Sequence, residues 1–137
     1  MAEGILNELG KKKNLDFVAL SAGIFAMDGS GPAKNAIDAM KDIDIDISNH
    51  ISSSLDRDLI EEVDLILTMS KGHRDSLISF YPHIKNKVFI LNDYAHGIRK
   101  DIEDPYGMDI DDYIKARDEI YRAVERIIND SQAIDKR

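Results

Sequence analysis

Apolar residues along this chain occur in two patterns, short continuous runs and helical stripes, and the two patterns alternate. Residues 17–23, 63–69 and 88–91 are the continuous runs, which are typical of buried strands in a parallel sheet. The longest helical stripe covers residues 111–129. The alternation predicts an α/β fold, a three-layer sandwich in which helices cover both faces of a mainly parallel sheet.

Local signals place the ends of the predicted helices. An Ile/Asp alternation over residues 43–47 is interpreted as loop, because Asp is depleted in strands. Proline suits a first helical turn, glycine suits a helix stop, and Ser or Asp suits an N-cap. The signals are Gly10 as a stop, Pro32 in a first turn, and the caps Ser54 or Asp56 and then Ser70.

The length, composition and charge of the chain indicate its domain count and exclude some classes of partner. Its 137 residues fit a single domain, residues 1–137, and 43% hydrophobic content is enough for a core. The net charge of −8 argues against nucleic acids and anionic membranes as partners. No apolar run is long enough to cross a bilayer and no secretory signal is visible, so we expect a cytoplasmic protein.

The chain contains no cysteine, which excludes disulfides, thiolate metal sites and a cysteine nucleophile within these residues. Its four histidines show no metal-ligand spacing, so we expect no metal. The candidate for chemistry is instead Asp104, in the segment Asp-Pro-Tyr-Gly. Pro105 restricts Asp104 to extended conformations, and Gly107 permits a turn. These residues alone fit an ordinary turn or a general acid beside a binding slot.

Ligands of parallel α/β folds bind beyond the carboxyl ends of the strands. The predicted strand ends are residues 21–23, 68–70 and 91–93. The loop with Asp104 follows the last strand and can reach the same edge of the sheet.

Five segments, in this order, resemble the low molecular weight protein phosphatases, the group that contains phosphotyrosine and phosphoarginine phosphatases. Residues 1–4 resemble the helix start that follows the family's phosphate loop, and residues 104–107 resemble the loop that bears its general acid. The residues of these segments resemble those of bacterial members more than those of animal members. The other segments are residues 21–23, 48–53 and 64–69.

The resemblance implies a chemistry. In the family, a loop of Cys, five residues, Arg and then Ser or Thr forms a cysteinyl-phosphate, and an aspartic acid protonates the leaving group. It implies that Asp104 is the catalytic acid and Tyr106 a wall of the substrate slot. Ser21 and His50 are implied as supports behind the phosphate loop. Tyr106 can also be a core or turn aromatic, and His50 can be a ligand, a base or a ring that hydrogen-bonds a neighbouring loop. No cofactor is implied.

The printed chain begins after the segment that would correspond to the family's first strand and phosphate loop. We therefore expect the chain as written to be inactive, and unstable unless another chain supplies a strand. A late start codon, an incomplete gene model or a shortened expression product would account for the beginning. The implied partners of a full-length form are a phosphorylated protein or a small phosphomonoester.

Three alternative functions differ from this reading. A non-catalytic remnant would bind partners or phosphorylated ligands without turnover. A receiver-type signalling domain needs a phosphorylatable Asp at the carboxyl end of a strand, whereas Asp64 begins its strand. Arsenate reductases share the fold but use several cysteines. The preference for phosphotyrosine or phosphoarginine, the physiological substrate and the oligomeric state remain open.

Overall fold

A computed structural model describes residues 1–22, 32–50 and 55–135 of the chain, with side chains through residue 130. Its helices and strands agree with an alternating α/β order. Within the described residues the elements are α1 (Ala2–Lys12), α2 (Lys34–Lys41), α3 (Arg57–Glu62), β1 (Ile66–Thr68), α4 (Lys71–Phe80), a 3₁₀ helix (Pro82–Lys87), β2 (Val88–Ile90), α5 (Leu91–His96) and α6 (Ile110–Asp135).

The strands β1 and β2 pair in parallel, with Ile66 opposite Val88 and Thr68 opposite Ile90. Successive side chains of a strand point to opposite faces. Accordingly, Ile66 packs against one apolar cluster and Leu67 against the other. The predicted α/β class with a parallel sheet between helical layers is confirmed.

Two apolar clusters enclose this sheet. The larger one joins α1, α2, α5 and α6, and the smaller one joins α3, α4, the 3₁₀ helix and β2. Within the described residues, no helix is both long enough and apolar enough to cross a membrane. The largest fully buried side chains of the larger cluster are Ile5, Met40, Leu91 and Val124, and the buried residues of the smaller cluster are Ile60, Leu77, Ile84 and Val88.

Side-chain caps start two of the helices as the sequence predicts. Asp56 accepts the N–H of Leu59 at 2.7 Å and caps α3. Ser70 accepts the N–H of His73 at 3.2 Å and caps α4. Each cap satisfies one of the backbone donors that the first helical turn leaves unpaired. The alternative cap, Ser54, lies outside the described residues.

The prediction of a buried strand over residues 17–23 is wrong for its described part, residues 17–22. These residues are extended but form no strand, and Val18 and Leu20 are 82% and 64% exposed. The backbone of Ala19 bonds to the side chain of Asn7 instead, at 2.9 and 3.0 Å. Within the described residues no strand pairs with this segment, and its apolar side chains lie on the surface. Gly23 is outside the described residues.

Other boundaries differ from the prediction. Helix α1 does not stop at Gly10 but continues to Lys12. Gly10 instead permits the close approach of Phe17, since a Cβ there would lie 2.5 Å from its ring. Leu91, predicted as a strand end, begins α5, which stops at Gly97 with a φ of 69°. The predicted strand over residues 63–69 shortens to β1, which is half-buried.

Candidate functional site

The loop that carries Asp104 leaves the sheet at a fixed point. Ile102 donates its N–H to the carbonyl of Met69, just beyond the end of β1, at 2.8 Å. The Ile102 side chain is buried in the larger cluster. Pro105 then keeps Asp104 in an extended conformation. This loop therefore reaches the carboxyl edge of the sheet, as the sequence predicts.

Asp104 lies in a tight turn. Its Oδ1 accepts the N–H of Tyr106 at 3.0 Å, and the N–H of Met108 bonds to the carbonyl of Pro105 at 2.9 Å. Gly107 has a φ of 78°, a left-handed conformation that glycine adopts without strain. Asp104 is exposed. A carboxylate has roughly four lone-pair sites, so one backbone bond leaves capacity for a substrate.

Glu3, in the first turn of α1, joins two of the predicted site residues. Its Oε1 accepts the N–H of Ser21 at 2.8 Å and the Ser21 hydroxyl at 3.3 Å. Its Oε2 lies 2.9 Å from Nδ1 of His50. The Ser21 hydroxyl and Nε2 of His50 are 3.4 Å apart. One carboxylate therefore ties the end of the extended segment and the loop before residue 50 to the start of α1.

The Asp104 loop and the residues that Glu3 joins border one surface cleft of about 220 Å³ at the N-terminal end of α1. Ser21, His50, Asp104 and Tyr106 all line it, so the structure brings together every residue that the sequence predicts for the site. Tyr106 is 79% exposed, so its ring forms part of the rim and not part of the core. The alternative that Tyr106 is a core aromatic is therefore wrong, while its role as a turn aromatic or as a wall of a substrate slot stays a prediction.

His50 has no metal site around it. Within the parts of the chain that the structure describes, no group of three His, Asp or Glu residues is placed to hold a metal ion. The ring instead lies against Glu3 and Ser21, which fits a histidine that holds neighbouring segments in place.

Sequence reasoning missed two residues of the cleft. Glu3 was noted only as part of a helix start, although an acidic residue in a first helical turn is a recognisable signal. Tyr113 falls within the helical stripe of residues 111–129, which predicts only a packing role for it. It is 5% exposed and yet lines the cleft, a position that only the packing of α6 against the loop reveals.

The chemistry available in the cleft is incomplete. It has an exposed carboxylic acid beside an aromatic ring, at the start of an eleven-residue helix. Helix N-termini favour bound anions, because their backbone donors are unpaired and the helix dipole is positive there. The chain has no cysteine, so the nucleophile of a cysteinyl-phosphate mechanism is not among its residues.

Comparisons with known proteins agree with this description. The family model described as low molecular weight phosphotyrosine protein phosphatase matches residues 1–137. A protein-arginine-phosphatase of Bacillus subtilis (strain 168) is 32% identical over 127 residues, which are 93% of this chain and 84% of that protein. Arsenate reductase 1 of Staphylococcus saprophyticus is 35% identical over 127 residues, 92% of this chain and 83% of that protein.

Solved structures give the same result. The crystal structure of a YwlE mutant from Bacillus subtilis matches with a TM-score of 0.91 and 30% identity, over 96% of this chain and 88% of that one. The family model covers every residue, and the fold agrees closely with that neighbour. This chain is a member of the low molecular weight phosphotyrosine protein phosphatase family.

Proposed function

We propose that this chain carries the acid-bearing part of a phosphoprotein phosphatase site for phosphotyrosine or phosphoarginine. The observation that carries the proposal is the convergence of Asp104, Tyr106, Ser21 and His50 in one cleft at the start of α1. A relative whose name is protein-arginine-phosphatase supports the substrate class. The cytoplasmic location stays a prediction.

Each residue has a specific role in the proposed reaction. A thiolate outside these residues attacks phosphorus, and the bond from phosphorus to the side-chain oxygen or nitrogen of the substrate breaks. Asp104 gives its proton to that leaving atom, and its carboxylate then takes a proton from the water that releases phosphate. The ring of Tyr106 flanks the substrate side chain. Ser21 and His50 are held by Glu3 behind the phosphate position.

The first experiment compares the 137-residue chain with a protein that carries a strand and a Cys-x5-Arg-Ser loop ahead of Met1. With p-nitrophenyl phosphate as substrate, the printed chain should give no turnover, because it has no cysteine. The extended protein should give turnover through a phosphorylated cysteine, visible by mass spectrometry after rapid quenching.

In the extended protein, Asp104→Asn should lower kcat by about 10²–10⁴-fold with a poor leaving group, the usual contribution of a general acid. Glu103→Gln is the matched control, since it removes the neighbouring exposed carboxylate and should leave kcat unchanged. A folded extended protein whose turnover is equally insensitive to both substitutions would overturn the role of Asp104.

Substrate preference is tested with matched phosphotyrosine and phosphoarginine peptides on the same extended protein. Tyr106→Ala should raise KM more than it lowers kcat, because an exposed rim ring contributes binding surface and no proton. An unchanged KM for both peptides would exclude Tyr106 from the slot.

A second candidate is a non-catalytic protein that binds a partner or a phosphorylated ligand. The absence of cysteine from the printed residues favours it. The intact mass of the protein from its native source separates the two candidates. A mass of 15.4 kDa favours binding without turnover, and a mass larger by a strand and a loop favours the phosphatase.

A further inference from the structure

Three consecutive residues ahead of Asp104 are bonded to α5 and to the junction between β1 and α4. The first anchor comes from α5, where the Asn92 amide donates to the carbonyl of Lys100 at 2.9 Å. Asn92 is only 8% exposed. Buried amides are retained where their hydrogen bonds are satisfied, so this bond fixes the backbone at Lys100 from inside the fold.

The second anchor is Asp101, whose Oδ1 accepts the N–H of Lys71 at 2.8 Å. Lys71 is the first residue of α4, a ten-residue helix, so the carboxylate lies where the helix dipole is positive. Ser70 already caps α4 through the N–H of His73. The bond from Asp101 is therefore additional to the cap, and it comes from the loop rather than from the helix.

The third anchor is backbone to backbone, from the N–H of Ile102 to the carbonyl of Met69. Lys71 and Met69 flank Ser70, so the second and third anchors attach adjacent loop residues on both sides of the cap of α4. Asp104 follows two residues later, and Pro105 restricts the backbone of Asp104 itself. The position of the Asp104 carboxylate therefore depends on how residues 100–102 are held.

We propose that Asp101 is a positioning residue for the general acid. Its carboxylate locks the loop onto the start of α4 and so fixes where Asp104 presents its proton, with Asn92 as the neutral anchor on the other side. This inference rests on the proposed function of Asp104. Its structural half, the locking of the loop, does not.

The structural half is tested on the 137-residue chain by amide hydrogen exchange of Ile102. Asp101→Ala should speed this exchange by about tenfold through local opening of the loop. Asp56→Ala is the matched control, because it removes an aspartate from the start of another helix, α3, away from the loop. Equal exchange of Ile102 in the two variants would overturn the locking role.

The catalytic half is tested on the extended protein with aryl phosphates of graded leaving-group pKa. A misplaced acid matters most where the leaving group needs a proton, so Asp101→Ala should lower kcat about tenfold or more for poor leaving groups and little for p-nitrophenol. KM should stay constant. A loss that is uniform across leaving groups would show a general structural defect and overturn the proposal.

Two further variants keep the test decisive. Asp101→Asn retains an acceptor for the N–H of Lys71 and should restore most of the leaving-group dependence, even where Asp101→Ala folds poorly. In an Asp104→Asn background, Asp101→Ala should lower turnover no further, because the group that it positions is gone. An additive loss would contradict positioning. Failure of Asp104→Asn itself to slow turnover would instead overturn the proposed function and leave the exchange result standing.

Discussion

The two walls of the cleft are held in different ways. The wall with Asp104 is held chiefly by the core, since Ile102 is 4% exposed and its N–H bonds just beyond the end of β1, and the exposed Asp101 carboxylate adds a bond to Lys71. The opposite wall, with Ser21 and His50, is held by the Glu3 side chain, which is 23% exposed. Its extended segment, residues 15–22, has no strand partner among the described residues.

This difference has physical consequences. A wall held by core packing moves only when the core is disturbed, because interiors are close-packed. A wall held chiefly by one partly exposed carboxylate, Glu3, responds more to pH and to single surface substitutions, because solvent screens its bonds and competes for them. We expect the acid to be placed rigidly and the phosphate side of the cleft to be adjustable.

The largest expected effect is at the rigid wall. Ile102→Ala removes a core side chain and should lower the free energy of unfolding by about 2–5 kcal/mol. Val18→Thr, on the exposed segment, should change it by less than about 0.5 kcal/mol. Urea denaturation of both variants measures the contrast, and similar losses at the two sites would remove the distinction between the walls.

Glycine substitutions in two helices sharpen the comparison. A Cβ at Gly10 would lie 2.5 Å from the Phe17 ring, whereas one at Gly72 would meet the Ser70 hydroxyl at 3.9 Å. Overpacking costs about 1–3 kcal/mol, and alanine regains up to about 1 kcal/mol of helix propensity. Gly10→Ala should therefore destabilise by about 1–2 kcal/mol, and Gly72→Ala should stabilise slightly. The same sign for both in thermal melts would mean that Phe17 does not dock on α1.

Glu3→Gln tests the adjustable wall. Glutamine has one carbonyl oxygen and cannot accept from both Ser21 and His50, so the free energy of unfolding should fall by about 0.5–1.5 kcal/mol. Glu8→Gln on the same helix should have almost no effect, since Glu8 only faces Lys12 at 3.9 Å on the surface. NMR shifts of Ser21 should change in the first variant alone, and unchanged shifts there would contradict the bridging role.

The smallest expected effect is on the pH dependence of stability, which should have opposite signs at Asp46 and at Asp112. Hydrogen bonds from Ser48 lower the pKa of Asp46, so its contribution to stability is present above the ordinary aspartate pKa and is lost as pH falls through the lowered value. A hydrogen bond with Asp109 raises the pKa of Asp112, so its contribution is present at low pH and is lost as pH rises through the raised value.

Amide exchange between about pH 3 and pH 6 should therefore show the loop around Asp46 loosening with acid and the start of α6 tightening. Ser48→Ala should weaken the first trend, because only the backbone N–H of residue 48 remains bonded to Asp46, and Asp109→Asn should weaken the second. Trends of the same sign in the two regions would contradict this assignment.

The expected need for a strand from another chain stays a prediction. Within the described residues, β1 pairs only with β2, and its three residues are half-buried, whereas the ends of β2 are buried. A cooperatively melting, soluble monomer of the 137-residue chain would contradict the expectation. Rescue of folding by an added apolar peptide would support it.

Much of the fold could be predicted from the sequence because the signals for helices and their caps are local. The caps Asp56 and Ser70 act within four residues, and the apolar stripe of α6 has helical spacing. The order of the short motifs identified the family and led to Asp104. The sequence by itself thus determined the α/β class, the starts of α3 and α4, the absence of a cysteine nucleophile and the candidate acid.

The tertiary structure alone decided the rest, because it depends on contacts between residues distant in sequence. An apolar run such as residues 17–22 is a strand only if a ladder partner is adjacent, and here the Asn7 side chain takes that place. Glu3 joins Ser21 to His50, and Asp101 locks onto Lys71, across separations that no periodicity encodes. The residue types in the sequence determined which side chains are candidates for the chemistry, and tertiary packing determined which of them are in contact.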